Sequence, residues 1–412
     1  MLLRLLYNNK YWRAICFSFL ISCCITTANA QFFTLDSNRN RATLPFNFIR
    51  NMVIIKLKIN NRGPFNFILD TGVGQMLITE PSLVDSINIA SKRTVKISGF
   101  GEGEDFEAYI TNPLNIEIKG LTSHYVSAAI LKKDFFGLSN YAGMRIHGLL
   151  GYDFFSRLAV KVDFSDTSIT VYKPGKFTGF SNGSKVSISI EENRPYLETK
   201  ITCDDGTETT SKLIVDLGAG HAMSLENISD KSAFSQKFIA GNLGVGIKGL
   251  ISGYLGRVRE LDIGKYKLKD LITSFPEDNY TKSLSVSRDG NLGIDVLKKF
   301  KIVFDYANNA LYLKASAGYG TPFEHDMSGL EYYATGDDFN HVIIDRVEPG
   351  SPGEAAGLEK DDEITAINFK PVSSMTLEQI DQIFRSKDNR TLFLDVYHDQ
   401  KFTTFITLKR RI

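Results

Sequence analysis

The apolar residues of this chain gather in short runs separated by Asn, Asp and Gly clusters, a pattern of β-strands joined by tight turns. Val53-Ile54-Ile55-Lys56-Leu57-Lys58-Ile59 alternates in part and predicts a strand. Asn60-Asn61-Arg62-Gly63 predicts a turn, and Phe65 to Leu69 the next strand. The same order returns later, with a strand over Tyr196 to Thr202, a turn at Asp204-Asp205-Gly206 and a strand over Leu213 to Val215. Towards the end, strands are expected at Val342 to Val347, Glu363 to Ile367 and Leu392 to Tyr397. Helical periodicity stands out over Thr376 to Phe384, starting from Ser374 or Thr376, with Leu377, Ile380 and Ile383 on one face.

The recurrence extends beyond one hairpin. His147-Gly148-Leu149-Leu150-Gly151-Tyr152-Asp153-Phe154-Phe155 aligns with Asp289-Gly290-Asn291-Leu292-Gly293-Ile294-Asp295-Val296-Leu297. Val160 to Phe164 aligns with Ile302 to Tyr306, and each is followed by a turn and a last strand, Ser168 to Tyr172 and Ala310 to Leu313. Asp216 lies 146 positions after Asp70, and Gly293 lies 142 after Gly151. A repeat that keeps its spacing this well predicts a duplicated β lobe, over 31–174 and 175–316. Lys173-Pro174-Gly175 and Ser181-Asn182-Gly183-Ser184 mark the join. A third unit is expected over 321–412.

Composition adds bounds. An apolar content of 43% and a charged content of 23% suit a globular protein, and a net charge of +1 offers no attraction for nucleic acid. Residues 1–30 read as a signal peptide: Arg4, Lys10 and Arg13, an apolar stretch from Ala14 to Ile25, then Ala28-Asn29-Ala30, with cleavage before Gln31. After that segment no apolar run is long enough to span a bilayer. Leu20-Ile21-Ser22-Cys23 offers an alternative, a lipobox that would leave Cys23 lipidated. Cleavage before Gln31 leaves Cys203 as the one thiol, so no intrachain disulfide framework is expected. Cys203 lies beside a turn with no basic neighbour and reads as a strand-end residue rather than a nucleophile. The His and Cys residues show no zinc spacing, and no metal or organic cofactor is implied.

The chemistry lies in the repeat. Phe67-Ile68-Leu69-Asp70-Thr71-Gly72 and Leu213-Ile214-Val215-Asp216-Leu217-Gly218 each deliver an aspartate from an apolar strand into a glycine turn. Two carboxyls brought close cannot both ionise, so one proton is shared: the anion activates water, and the acid donates to a carbonyl. These residues resemble the pepsin-like and retropepsin-like aspartic peptidases, over about residues 45 to 315. Asp70-Thr71-Gly72 matches the Asp-Thr/Ser-Gly motif, and Leu149-Leu150-Gly151 the hydrophobic-hydrophobic-Gly element passed beneath the catalytic loop. The resemblance implies a dyad of Asp70 and Asp216, with Thr71, Gly72 and Gly218 supporting the loops. The second half departs in two places: Leu217 stands where a hydroxyl is expected, and Asn291 where an apolar residue is expected. Leu217 removes one of two cross-bracing hydroxyls and is expected to leave Thr71's partner groups unsatisfied. Ser98-Gly99-Phe100-Gly101-Glu102-Gly103 is the candidate flap, with Gly99, Gly101 and Gly103 giving it freedom, and the stretch from Leu243 to Tyr254 is its counterpart. Both also read as ordinary hairpins. His221 reads as structural, with a ligand or base as the alternative.

Residues 321–412 resemble a bacterial PDZ domain. The carrying residues are Val347-Glu348-Pro349-Gly350-Ser351-Pro352-Gly353-Glu354-Ala355-Ala356-Gly357-Leu358 and Asp361-Asp362-Glu363-Ile364-Thr365-Ala366-Ile367-Asn368. The resemblance implies that Ser328-Gly329-Leu330 presents backbone N–H groups to a peptide carboxylate, the peptide adding to a sheet edge. The alternative is a cap that binds nothing. Arg410-Arg411-Ile412 offers an apolar end for a neighbour's groove. Together these features imply a mainly β, exported, bilobal aspartic endopeptidase, periplasmic or outer-surface, acting on peptides or unfolded proteins, without a large pro-segment. A protease fold that has lost catalysis and binds peptides, or a PDZ-driven scaffold, are the alternatives.

Overall fold

The computed structural model describes residues 33–412, apart from 37, 88, 90–91, 98–105, 227–233, 236, 247–248 and 278–285. The expected leader and the tip of the first candidate flap lie outside these residues. No helix among the described residues is long and apolar enough to cross a membrane. The molecule is mainly β, and the two halves repeat one plan. In the first, the hairpin strands Met52–Ile59 and Arg62–Leu69 pair antiparallel, and the short strand Gly148–Leu150 lies parallel to the second of them, Leu150 opposite Leu69. It also runs antiparallel to Met76–Ile78. In the second half, Arg194–Thr202 and Glu208–Val215 form the hairpin. Gly290–Leu292 lies parallel to the latter, Leu292 opposite Val215, and antiparallel to Met223–Leu225.

Glycine makes this threading possible. A methyl group at Gly151 would stand 1.9 Å from the Val73 carbonyl oxygen, and one at Gly293 would stand 2.1 Å from that of His221. Only a residue without Cβ lets one chain segment pass under the other this closely.

The halves meet in a shared six-stranded sheet. Arg41–Pro45, Ser168–Tyr172 and Ala159–Asp163 come from the first half; Phe300–Asp305, Ala310–Ala315 and Ser184–Ser187 come from the second. Ala159–Asp163 and Phe300–Asp305 pair antiparallel at its centre. Val160, Val162, Ile302 and Phe304 are fully buried there, and the Phe155 and Phe304 rings meet edge-on at 5.3 Å. One apolar core therefore runs through both lobes.

The last unit is a separate sheet in the order Leu330–Thr335, His341–Val347, Glu363–Ile367, Thr391–Tyr397, Lys401–Thr407, with its own core. The expected helix forms over Leu377–Phe384. Thr376 caps it in a reciprocal box with Gln379, which satisfies two end donors. Its buried face is Leu377, Ile380, Asp381 and Phe384, while Ile383 is half-buried. A charged residue is tolerated on that face because Arg50 of the first lobe pairs with Asp381, Nε to Oδ2 at 3.0 Å, and Tyr332 also donates to it.

Arg50 and Asn51 form the turn between Asn47–Ile49 and Met52–Ile59, both in the left-handed region. Arg50 reaches into the last unit: its amide donates to Glu378, and its guanidinium donates to the backbone oxygens of Tyr332 and Tyr141. Gly143 lies beside Leu377 and Ala334. The space between the edge strand Leu330–Thr335 and the helix is thus approached by the first lobe. At the chain end, the Ile412 side chain is buried within its own chain and its backbone oxygen accepts from Arg257 Nη2 at 3.3 Å.

Candidate active site

Two apolar strands end at the same place from opposite lobes. Leu69 and Val215 are fully buried, and the next residues, Asp70 and Asp216, are half-buried at the junction. The carboxyls face one another closely enough to interact directly. A methyl group at Gly218 would stand 2.2 Å from the Asp70 carboxyl carbon, and one at Gly72 would stand 2.6 Å from Asp216 Oδ2. Each glycine therefore makes room for the other lobe's acid. Each acid also bonds its own loop: Asp70 Oδ1 accepts from Gly72 N–H at 2.7 Å, and Asp216 Oδ1 from Gly218 N–H at 2.8 Å. Burial pushes the Asp70 carboxyl well above the usual carboxylate range. The nearby carboxyl of Asp216 pushes the same way; Gly72 N–H and Arg194 oppose. A pair so placed holds one proton between two acids.

Thr71 links the loops. Its buried hydroxyl donates to the Val215 carbonyl at 2.6 Å and accepts from the Leu217 N–H at 2.9 Å. This corrects the expectation attached to Leu217. The hydroxyl's partners are backbone groups, so a leucine side chain at 217 leaves them in place and the Thr71 brace is complete. What the chain lacks is the reciprocal brace, because a fully buried Leu217 has no hydroxyl to offer.

A second set of braces is two-fold related, and sequence reasoning missed it. Asn51 Nδ2 donates to the Gly220 carbonyl at 2.7 Å, and Asn193 Nδ2 donates to the Gly74 carbonyl at 3.3 Å. Each asparagine sits at the second position of a left-handed turn, after Arg50 or Glu192, and reaches the glycine four residues past the other lobe's aspartate. The signal was present as Arg50-Asn51 and Glu192-Asn193, each between a strand pair, at nearly the spacing of the aspartates. Arg194 Nε adds a bond to the Gly72 carbonyl at 2.7 Å.

Asn291 is the other departure in the second half. Its Nδ2 donates to Asp216 Oδ2 at 3.1 Å, and its buried Oδ1 has no partner among the described residues. Tyr306 lies near both acids; its hydroxyl is buried without a partner among the described residues, and burial then the two carboxyls push it well above the usual range. Burial lowers the His221 imidazole against the opposing pull of Asp216 and Asp295, and its Nε2 has no partner among the described residues. Cys203 is buried and burial raises its thiol, so it stays protonated.

Gly99, Gly101 and Gly103 lie outside the described residues. The strands flanking them, Lys92–Ile97 and Phe106–Thr111, pair antiparallel as a hairpin. The counterpart hairpin, Ile239–Gly246 with Gly249–Ile263, bonds the last unit through Asn242 Nδ2 to Glu331 Oε2 at 2.9 Å. In the expected carboxylate loop, the Ser328 and Gly329 N–H groups donate to Asp326 Oδ1 at 2.9 and 2.7 Å, and the Leu330 N–H donates to Ser328 Oγ at 3.1 Å. These three donors serve the chain's own side chains, so a peptide carboxylate reaches them only if Asp326 and Ser328 turn away.

The topology and the paired acids meet two family models. Residues 55–154 match the model described as aspartyl protease, and residues 329–396 match the PDZ domain model. Residues 55–154, which carry Asp70, are thus similar to an aspartyl protease lobe, and residues 329–396 are similar to a PDZ domain. Among solved structures the chain is similar to the crystal structure of an aspartic proteinase from Irpex lacteus, at 15% identity and a TM-score of 0.47, covering 68% of this chain and 99% of that one.

Proposed function

We propose that this protein is an aspartic endopeptidase in which Asp70 and Asp216 activate a water molecule against a peptide bond. The observation that carries this reading is the approach of the two carboxyls across the junction, each admitted by the other lobe's glycine. The ionised member of the pair takes the water proton, while the protonated member donates to the carbonyl oxygen. The two neighbouring hairpins suit an extended peptide or an unfolded protein. The catalytic halves are 31–174 and 175–316 and the PDZ unit is 321–412. The PDZ unit is proposed to take a peptide end once its loop is freed. The leader pattern over residues 1–30 supports export to the periplasm or outer surface, with lipidation at Cys23 as the variant; mass spectrometry of the mature N-terminus separates the two.

The test is digestion of unfolded casein across acid to neutral pH by wild type, Asp70→Asn and Asp216→Asn. Cleavage by wild type alone supports the reading. Equal rates for all three end it, and an inert wild type favours a peptide-binding protein.

A further inference from the structure

The two halves break their symmetry at two positions beside the acids, and the breaks are complementary. In the first half the residue after the aspartate is polar, Thr71, and the residue beneath it is apolar, Leu149. In the second half the residue after the aspartate is apolar, Leu217, and the residue beneath it is polar, Asn291. Leu149 and Asn291 hold equivalent places: Leu149 pairs with Ile68, and Asn291 pairs with Ile214, each two residues before its aspartate. Thr71 spends its hydroxyl on the opposite loop's backbone. Asn291 spends its amide on a carboxyl.

From this geometry we infer that Asn291 is a positioning residue that fixes the negative charge of the dyad on Asp216. Asp216 accepts from two N–H donors, Gly218 on Oδ1 and Asn291 on Oδ2. Asp70 accepts from Gly72 and has Leu149 where Asp216 has the amide. A carboxylate that accepts more N–H bonds is the better anion, so the shared proton rests on Asp70. The other face of the amide strengthens the argument. Asn291 Oδ1 is buried without a partner among the described residues, a cost that a leucine would not carry. The side chain is therefore poorly explained by packing and well explained by its bond to Asp216.

The groups around Asp216 leave the inference standing. Asp70 faces it from the opposite loop, and Gly218 N–H and His221, lowered by burial, from its own. Tyr306 approaches from the end of the shared sheet, and Arg194 holds Gly72 from the neighbouring strand. Arg288, ahead of the strand that carries Asn291, is paired with Glu226. The hydrogen bond that reaches Asp216 Oδ2 from beneath is that of Asn291, at 3.1 Å.

The inference rests on the proposed dyad, and its test separates the two. Wild type, Asn291→Leu, Asn291→Ser and Asp70→Asn would be compared by the pH dependence of kcat/KM on an unfolded peptide, and by carbon-13 titration of the aspartate carboxyls. The acid limb reports ionisation of the base. Loss of the amide makes Asp216 harder to ionise, so in Asn291→Leu that limb moves up by about one pH unit, the scale of one charge-assisted hydrogen bond. Asn291→Ser, which keeps a donor, returns part of the shift, and the carboxyl titration shows the same order in enzyme of any activity. An unmoved limb and unmoved titration in Asn291→Leu, with Asp70→Asn inactive, overturn the role of Asn291 and leave the dyad. Equal rates for wild type and Asp70→Asn overturn the dyad; the titration then still decides where the charge sits. If Asn291→Leu does not fold, Asn291→Ser against wild type carries the same comparison.

Discussion

Replacing Thr71 by valine tests whether the single remaining hydroxyl brace holds the two catalytic loops together. Valine keeps the volume and removes the oxygen. The Leu217 N–H and the Val215 carbonyl then lose their partner in a place where Thr71 is 1% exposed, so water does not replace it. An unsatisfied buried group costs about 1–3 kcal/mol, which makes about 2–6 kcal/mol for the pair. Thr71→Ser is the control, since it keeps the hydroxyl and deletes one methyl, worth about 1 kcal/mol. Chemical denaturation reads both, with the slope checked so that the midpoint reports stability. Casein hydrolysis on the same samples should fall in Thr71→Val much more than in Thr71→Ser, because the second loop carries Asp216. If valine and serine variants lie within about 0.5 kcal/mol of each other and cleave alike, the brace is not what aligns the loops.

Arg50→Ala leaves buried Asp381 with the Tyr332 hydroxyl and the charge of nearby Arg385 but without its paired guanidinium; breaking such a pair costs about 3–5 kcal/mol, and hydrogen exchange over 377–384 should rise, while a loss under about 1 kcal/mol would refute the account. Burial raises Asp153 to about 6, above its unfolded value, so its contribution is full below about pH 4 and is lost as pH rises through 6. Asp153→Asn should therefore be more stable than wild type at pH 8, by up to about 3 kcal/mol, and should gain little at pH 4. His325 runs the other way: burial, aided by Arg385, Arg411 and Arg257, lowers it to about 4, so stability is present above about pH 6.5 and is lost as pH falls through 4. His325→Gln should flatten that acid loss in a denaturation series from pH 7 to 4.

Much of this architecture was readable from local pattern. The strand expected over Glu363 to Ile367 has those bounds, and Tyr196 to Thr202 and Leu392 to Tyr397 each begin slightly earlier. Strand identity depends on alternation and turn residues that lie within a few positions. The repeat carried more, because matched spacing at Asp70 and Asp216 places both acids at equivalent strand ends. What stayed hidden was decided across long separations. Thr71 meets backbone atoms, which have no sequence signature, so Leu217 read as more damaging than it is. Asn291 read as a flaw in an apolar element because its partner is 75 positions away. Asp381 carries no signal of its role in the sequence, because nothing nearby announces Arg50, 331 positions earlier.

The shared sheet has a consequence for how the polypeptide can be divided. Its central pair, Ala159–Asp163 with Phe300–Asp305, joins strands encoded far apart. A nick between Lys173 and Ser184 would cut no strand, yet each fragment alone would present a bare edge of three strands, with Val160 and Val162 on one and Ile302 and Phe304 on the other. Unpaired apolar edges recruit other edges. The fragments would therefore be insoluble or self-associated apart and would complement when refolded together.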